Sequence, residues 1–155
     1  MKMSTKGRYA VMAMIDIAGH SAGAPVSLGE IAARQDISQE YLEQLFGKLR
    51  KAGLVESARG PGGGYKLSRD AADIAMAAII EAVDEPLRVT RCDGDAVDGC
   101  VHGERCCAHD LWSSLGRQMM YFLDSISLED VVAKRNLALA ASIKQAKDRH
   151  VRPAP

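Results

Sequence analysis

Apolar side chains in the first third of the chain recur at helical spacing, with short polar segments between them. The first such stretch runs from Tyr9 to Ala18 and predicts a helix, which we expect Gly19 to end. A second, shorter helix is predicted after Ser27, because Ser27 and Glu30 have the spacing of a capping box. We expect this helix to end near Gln35.

A third helix is predicted after a turn at residues 36–37, with Ser38 as its N-terminal cap and Gly53 at its end. Two helices joined by a tight turn match the helix-turn-helix pattern, which occurs in DNA-binding proteins and also in protein–protein modules. The core face of the third helix is formed by apolar residues at helical spacing: Tyr41, Leu42, Leu45, Phe46 and Leu49.

A β-hairpin is predicted directly after the third helix. Residues 54–57 and 65–67 alternate between apolar and polar side chains, and the glycine-rich turn from Arg59 to Gly64 separates them. The turn lacks the Lys-Ser/Thr ending of a nucleotide-binding loop and does not lead into a helix, so nucleotide binding is not expected. A hairpin at this place is the wing of a winged helix, and it favours DNA over a partner protein. Glycines let such a tip approach a sugar-phosphate edge, and Arg59 can enter a narrow minor groove.

Three more helices are predicted in the rest of the chain. An alanine-rich helix is expected over about Ile74 to Val83, and a longer one from Ala108 to about Ser125. Ser127 and Asp130 have capping spacing and predict a final helix through about Lys147. The long helix carries a wide apolar stripe: Leu111, Trp112, Leu115, Met119, Phe122, Leu123 and Ile126. We expect the same helix of a second subunit to cover this stripe, since two-fold dimers are the commonest closed assembly; folding back on its own domain is the alternative.

The charges of the 155-residue chain balance overall but not locally. Residues 1–69 carry 10 basic and 6 acidic side chains, residues 70–110 carry 3 and 10, and residues 111–155 carry 7 and 4. A basic first unit can approach phosphates while the acidic middle stays away from them. No apolar stretch is long enough to cross a bilayer and no signal peptide is apparent, so we expect a cytoplasmic protein that does not contact membranes.

All four cysteines lie between positions 92 and 107. In a reducing compartment such clustering favours a metal or redox site over structural disulfides. Cys92, Cys100 and one of the neighbours Cys106 and Cys107 can surround one centre, because adjacent side chains point in different directions.

Two histidines, His102 and His109, compete for a fourth ligand position in this segment. Cysteine with histidine can hold either zinc or an iron-sulfur cluster. The paired C-x-x-C knuckles of structural zinc sites are absent from the sequence, which favours the cluster.

These elements predict a mainly α fold with a small β-hairpin wing, that is, a winged helix-turn-helix plus a long dimerisation helix. We expect a DNA-binding domain at residues 1–84 and a cluster-binding loop at 85–110. Dimerisation helices are expected at 111–147 and a flexible tail at 148–155.

The chain resembles the IscR family of iron-sulfur cluster regulators, a family of winged-helix transcription factors, over about residues 1–135. Four segments carry the resemblance: Ser4-Thr5-Lys6-Gly7-Arg8-Tyr9-Ala10 at the start, Ile37-Ser38 through Tyr41-Leu42-Glu43-Gln44-Leu45 in the third helix, Arg59-Gly60-Pro61-Gly62-Gly63-Gly64-Tyr65 in the wing, and the cysteine loop.

The resemblance implies a homodimer that binds double-stranded DNA, with the third helix in the major groove and the wing in the minor groove. It also implies a [2Fe-2S] cluster ligated by three cysteines and one histidine, with the third cysteine three residues before the histidine. On this sequence that pattern implies Cys92, Cys100, Cys106 and His109. The chain departs from the family in a spacer two residues longer between the first two ligands, and in the extra Cys107. Relatives that sense nitric oxide hold a [4Fe-4S] cluster on the same three cysteines, and they are the alternative.

The candidate DNA contacts lie on the third helix and the wing: Ser38, Gln39, Tyr41, Glu43, Gln44, Arg59, Gly60 and Gly62. The carboxylate of Glu43 can accept from cytosine but repels phosphates, so we expect it to reject some sites and Glu43→Ala to broaden site choice.

The function that the resemblance implies is an iron-sulfur-cluster-sensing repressor of cluster-assembly and iron-related genes. It would bind a palindrome-like operator as a homodimer. An iron-sulfur electron carrier and a zinc-stabilised DNA-binding protein are the rival interpretations, of which the first leaves the wing unexplained. The sequence has no Ser-His-Asp or paired-carboxylate constellation, so an enzyme is not expected.

Overall fold

A computed structural model describes residues 4–21, 23–84, 104–135, 137 and 142. In chain order the elements are α1 Thr5–His20, α2 Leu28–Gln35, α3 Gln39–Lys51, β1 Val55–Ala58, β2 Gly64–Leu67, a 3₁₀ turn Ala71–Asp73, α4 Met76–Ala82, α5 His109–Ser125 and α6 Leu128–Val132. The mainly α fold with one hairpin is confirmed. Over the described ranges, none of the helices is both long enough and apolar enough to span a membrane.

Helix α1 is longer than the apolar pattern predicts at both ends. It begins after Ser4, whose Oγ accepts a hydrogen bond from the backbone N–H of Lys6 at 3.2 Å. It passes through Gly19, which therefore does not end it, and reaches His20. The backbone N–H of Ser21 still bonds the carbonyl of Ile17 at 2.9 Å, so the helical bonding continues past the glycine.

The starts of α2 and α3 are set by the predicted caps. In α2 the capping box is complete: Ser27 Oγ accepts from the Glu30 N–H at 3.3 Å, and Glu30 Oε2 accepts from the Ser27 N–H at 2.9 Å. In α3 the Oγ of Ser38 accepts from the Tyr41 N–H at 3.3 Å. The turn between the helices uses Asp36 in the left-handed region, with φ of 53°, which an aspartate tolerates better than most residues.

A buried carboxylate joins α1 to α2. Asp16 is 2% exposed and accepts hydrogen bonds from Arg34 at 2.7 and 3.0 Å and from Gln35 at 2.8 Å. Burial alone would raise the pKa of Asp16, but the bonds from Arg34 and Gln35 and the charge of Arg34 outweigh it, so the pKa lies below its usual value. The carboxylate therefore stays charged and fixes the first helix of the helix-turn-helix against α1.

The wing is an antiparallel pair of strands that is also tied to the start of α2. Val55 pairs with Leu67 and Ala58 with Gly64. Val26 and Tyr65 exchange two backbone hydrogen bonds of 2.8 Å each, which adds an isolated bridge to the outer side of β2. The tip thus projects from a base that belongs to the domain core.

The core lies where α1, α3, α4 and the hairpin base meet. Phe46 of α3 is fully buried, and its ring centroid lies 4.7 Å from that of Tyr65 in β2. The largest fully buried side chains are Phe46, Met14, Ile17, Ile31, Leu42, Leu49, Ile74, Ile79, Ile80, Ile126, Leu128 and Val55.

Helix α4 begins two residues later than the predicted start at Ile74. Ile74 and its neighbour are extended and pair with the segment between α5 and α6. The carbonyl of Ile74 accepts from the Leu128 N–H at 2.8 Å, and the Met76 N–H donates to the carbonyl of Ile126 at 2.9 Å. The carbonyl of Ile74 therefore bonds to a distant segment of the chain and is not available to a longer helix.

The helix that begins at Leu128 ends at Val132, so the prediction of one helix through Lys147 is wrong. Its capping box is present, with Asp130 Oδ2 accepting from the Ser127 N–H at 3.0 Å. Lys134 then takes a φ of 51°, and the Arg135 N–H bonds back to the carbonyl of Asp130 at 3.0 Å. A left-handed residue with such a bond ends a helix.

Candidate DNA-binding surface and metal-ligand segment

The outer face of α3 carries most of the predicted DNA contacts. Ser38, Gln39, Glu43 and Gln44 are exposed, whereas the opposite face is buried in the core. Tyr41 is half-buried, and its ring makes an edge-on contact with Tyr9 of α1 at 5.8 Å between centroids. Tyr41 is therefore partly a packing residue, and only its exposed part is available to DNA.

The outer face of α3 also carries Glu40, which the sequence analysis did not identify as a candidate. Glu40 is exposed in the first turn, and helical spacing places it beside Glu43 and Gln44. The amide Nε2 of Gln39 donates to Oε1 of Glu43 at 3.3 Å. The 3.6-residue period alone would have indicated Glu40, since it lies opposite the buried Leu42 and Phe46.

The far end of α3 is basic. Lys48, Arg50 and Lys51 lie in its last turn, where cations are favourably placed against the helix dipole. Lys48 Nζ lies 2.8 Å from Oδ2 of Asp84. This hydrogen bond and the charge of Lys48 lower the pKa of Asp84. Asp84 is the last described residue before the cysteine loop, and the sequence alone did not indicate the pair.

The wing tip is a tight turn from Gly60 to Gly63. The Gly63 N–H donates to the carbonyl of Gly60 at 2.8 Å, and Gly62 has a φ of 75°, as a type II turn with Pro61 before it requires. A Cβ on either Gly60 or Gly62 would meet open space within 4 Å. Arg59 is exposed at the base of this tip. The tip therefore presents bare backbone beside a cation, as a groove contact needs.

The predicted cluster ligands are only partly covered by the described residues. Cys92, Cys100 and the competing His102 lie outside them. Cys106 is half-buried, Cys107 is exposed, and His109 is 5% exposed at the first position of α5. The His109 N–H donates to the Cys106 carbonyl at 3.0 Å, so the two residues are separated by one turn of backbone.

Within the described ranges, no three or more His, Cys, Asp or Glu side chains are arranged to hold a metal ion. Two of the four predicted ligands, Cys92 and Cys100, lie outside these ranges. The donor types at hand, a half-buried thiol and a buried imidazole, fit the soft or borderline metals of a cysteine–histidine site. The ligand set stays a prediction.

Helix α5 has two different apolar faces. Its inner face carries the buried His109 and the half-buried apolar residues Met120 and Leu123. Leu111, Leu115 and Phe122 share the opposite face by their four- and seven-residue spacing, and they are 62%, 39% and 40% exposed. A helix of a single-domain protein normally buries its only apolar stripe, so a second one points to an interaction surface.

A helix-turn-helix followed by a hairpin wing defines the winged-helix class of DNA-binding proteins. The chain belongs to the Rrf2 family, iron-dependent transcriptional regulators, whose family model matches residues 3–134. It is 51% identical over 153 residues to the HTH-type transcriptional regulator IscR of Xenorhabdus nematophila, covering 99% of this chain and 92% of that protein.

Two solved structures have a similar fold. The structure of CymR, the global cysteine regulator of B. subtilis, has a TM-score of 0.73 at 35% identity and covers 88% of this chain and 99% of its own. The structure of T. potens IscR has a TM-score of 0.67 at 36% identity, covering 99% and 94%. The resemblance to IscR, the winged-helix fold and the assignment as a transcriptional regulator are thereby confirmed, and with them the expectation that the chain is not an enzyme.

Proposed function

We propose that this chain is a cytoplasmic, iron-sulfur-cluster-sensing regulator that represses cluster-assembly and iron-related genes. It binds a palindrome-like operator as a homodimer, and Cys92, Cys100, Cys106 and His109 hold a [2Fe-2S] cluster. The single observation that carries the proposal is the position of Cys106 and His109. They lie one turn apart at the start of α5. The other end of α5 is joined to the winged-helix domain.

That tie consists of backbone hydrogen bonds. The segment after α5 exchanges bonds with the entrance to α4, through Met76 and Ile126 at 2.9 Å and through Leu128 and Ile74 at 2.8 Å. A rotation of α5 must therefore move α4, which packs against α1 and α3. The ligand segment is attached to the same rigid helix that sets the relative orientation of the two DNA-binding units.

When bound, the cluster supplies a redox- and iron-sensitive group whose presence depends on the cell's supply of iron and sulfur. The chain's own residues convert its presence into a change of shape. The Cys106 and His109 side chains fix the residues before α5 when both are engaged, and they release them when they are not. Half-site spacing is the expected readout, because it depends on how the two copies of α5 cross.

A second copy of this chain is the proposed cover for the exposed face of α5. Leu111, Leu115 and Phe122 extend along about three turns, and a two-fold axis would bring the same stripe of the partner against them. A two-fold dimer carries two copies of α3, and a palindromic operator has two half-sites for them to bind.

The test is an anaerobic purification of the full chain with iron and sulfide analysis and a visible spectrum, followed by DNA binding before and after cluster removal. The DNA probe is the set of duplexes that the protein enriches from a randomised pool. A red-brown protein with about two iron and two sulfide per subunit, and a changed affinity without them, is the expected result.

Each other outcome selects a named alternative. About four irons per subunit would indicate the nitric-oxide-sensing type with a [4Fe-4S] cluster. A colourless, zinc-loaded protein that binds DNA would indicate a zinc-stabilised regulator. A cluster-bearing protein that enriches no duplex in either state would indicate an electron carrier, and would refute the proposal.

A further inference from the structure

Gln39 is the first residue of α3, and its exposed side chain makes a hydrogen bond within that helix. Its Nε2 donates to Oε1 of Glu43, one turn further along α3, at 3.3 Å. Its own Oε1 lies beside Gly29 of α2, where an added Cβ would be 3.6 Å away. An added Cβ at that distance would be in ordinary van der Waals contact, so position 29 tolerates the amide in this orientation.

Gln39 holds the carboxylate of Glu43 without neutralising it. A lysine or arginine at this position would pair with Glu43 and cancel the negative charge that repels phosphates and base acceptors. The neutral amide leaves that charge intact. It donates to one of the carboxylate's acceptor sites, and the remaining sites can accept from an amino group such as cytosine N4.

The bond is made before DNA arrives, which restricts the side chain of Glu43 in advance. A glutamate on a helix surface otherwise samples several rotamers and loses that freedom when it contacts a base. A restricted carboxylate discriminates more sharply between a donor and an acceptor, because it cannot turn away from an unfavourable base edge.

We propose that Gln39 is a positioning residue for base discrimination, which acts by orienting the Glu43 carboxylate and not by contacting a base itself. The proposal rests on the proposed DNA-binding role of α3. It assigns to Gln39 a different role from the direct DNA contact that the sequence predicts.

The test is a double-mutant cycle of Gln39→Met and Glu43→Ala in the full-length protein. Methionine keeps the length of the side chain and removes the donor without adding charge. The probes are the duplex that the wild type enriches from a randomised pool and its variants with every other base pair at each half-site position.

Glu43→Ala should reduce discrimination at one position by about five-fold. Gln39→Met should reduce it at that same position by about two-fold. In the Glu43→Ala background, Gln39→Met should change nothing further, because the group it positions is gone.

Arg59→Ala on the wing is the control for the cycle. Its effect should add to that of Gln39→Met, since the two residues share no partner. Thermal unfolding of each variant verifies that α3 remains folded.

The proposal is overturned if Gln39→Met alters preference at a different position, or if its effect persists without Glu43. It is equally overturned if either Gln39→Met or Glu43→Ala leaves discrimination unchanged. These outcomes leave the regulator assignment intact, whereas failure of the wild type to enrich any duplex would refute the DNA-binding function itself.

Discussion

Cys106 and Cys107 are neighbours in the chain but differ in their surroundings. Cys106 is half-buried and its carbonyl bonds the first residue of α5, whereas Cys107 is exposed. We predict that Cys106→Ala abolishes the bound iron and the visible absorbance, because one of four ligands is lost. Cys107→Ala, the matched control, should retain both. Equal iron loss in the two variants would show that the family spacing does not apply here.

Gly64 is the residue at which the wing meets α2. A Cβ at this position would overlap the carbonyl of Val26 and lie 2.8 Å from the Ser27 nitrogen, and all of these are backbone atoms that cannot turn aside. Gly64→Ala should therefore separate the bridge between Val26 and Tyr65 and lower the free energy of unfolding by about 1–3 kcal/mol. Urea unfolding followed by circular dichroism measures this.

Gly19→Ala is the control for that variant. Gly19 is exposed in α1, and an added Cβ has no neighbour within 4 Å. Alanine is the better helix former by up to about 1 kcal/mol, so this variant should be neutral or more stable. A loss of stability as large as that of Gly64→Ala would mean that the overlap at the wing is not the cause.

At the scale of elements, Asp16 holds α2 against α1. Its folded pKa is lowered, so the unfolded chain binds the proton more tightly. The stabilisation by Asp16 is therefore complete at pH values above its usual pKa of 3.8, and is lost as the pH falls through the lower folded value. Asp16→Asn should cost about 1–3 kcal/mol at neutral pH, since Arg34 loses its charged partner.

The pH dependence separates this cause from others. The difference in unfolding free energy between wild type and Asp16→Asn should stay constant from about pH 7 to pH 5 and shrink below about pH 4. Comparing the two proteins is necessary because Glu30, Asp84 and Asp130 also have lowered pKa values. If the difference in unfolding free energy did not shrink in acid, the cost of Asp16→Asn would come from altered packing or hydrogen-bond geometry and not from the lost charge.

The outer face of α5 gives a prediction about assembly. Leu115→Glu places a charge in the middle of the proposed contact, where burial without a partner is costly, and should convert the dimer to a monomer. Arg117→Ala changes the net charge by the same amount at an exposed position off this face, and should leave the dimer intact. Sedimentation equilibrium measures both. Two unchanged dimers would mean that the dimer forms through a surface other than the outer face of α5.

The elements that the sequence predicted best are those with local signals. The capping boxes at Ser27 and Ser127 and the cap at Ser38 involve residues three apart, so the sequence contains the whole interaction. The errors occur where the local conformation depends on hydrogen bonds to backbone that is distant in the sequence. Ile74 is extended because it pairs with Leu128, more than fifty residues away in the chain, and no local pattern at Ile74 indicates that pairing.

The candidate site was predictable to the same extent. Helical spacing placed the polar face of α3 outward, and turn chemistry placed Arg59 at the base of the wing tip. The pair of Asp16 with Arg34 and the pair of Lys48 with Asp84 were not predicted, since their partners are 18 and 36 residues apart. Their side chains look like ordinary surface charges until the fold brings them together.

At the scale of the whole molecule, the distribution of charge along the chain and the bonding of α5 to α4 both favour simultaneous binding of two half-sites. The basic first unit carries α3 and the wing, while the acidic segment around the cysteine loop lies between this unit and α5 in the chain. Because α5 is bonded to the entrance of α4, the separation of the two basic units of a dimer would be set by the way in which the two copies of α5 cross. Phosphate contacts on both half-sites then form together.

The salt dependence of DNA binding tests this arrangement. Each phosphate neutralised by a cation contributes about −0.9 to the slope of log K against log salt concentration. Arg59→Ala should therefore make the slope of a dimer less steep by about 1.8, because both wings lose a contact. Leu115→Glu should reduce the wild-type slope to about half, since a monomer covers one half-site. If Arg59→Ala weakened binding without changing the slope, Arg59 would be supporting the wing and not neutralising DNA. If Leu115→Glu abolished the dimer but preserved the full slope, the two half-sites would not be bound as one unit.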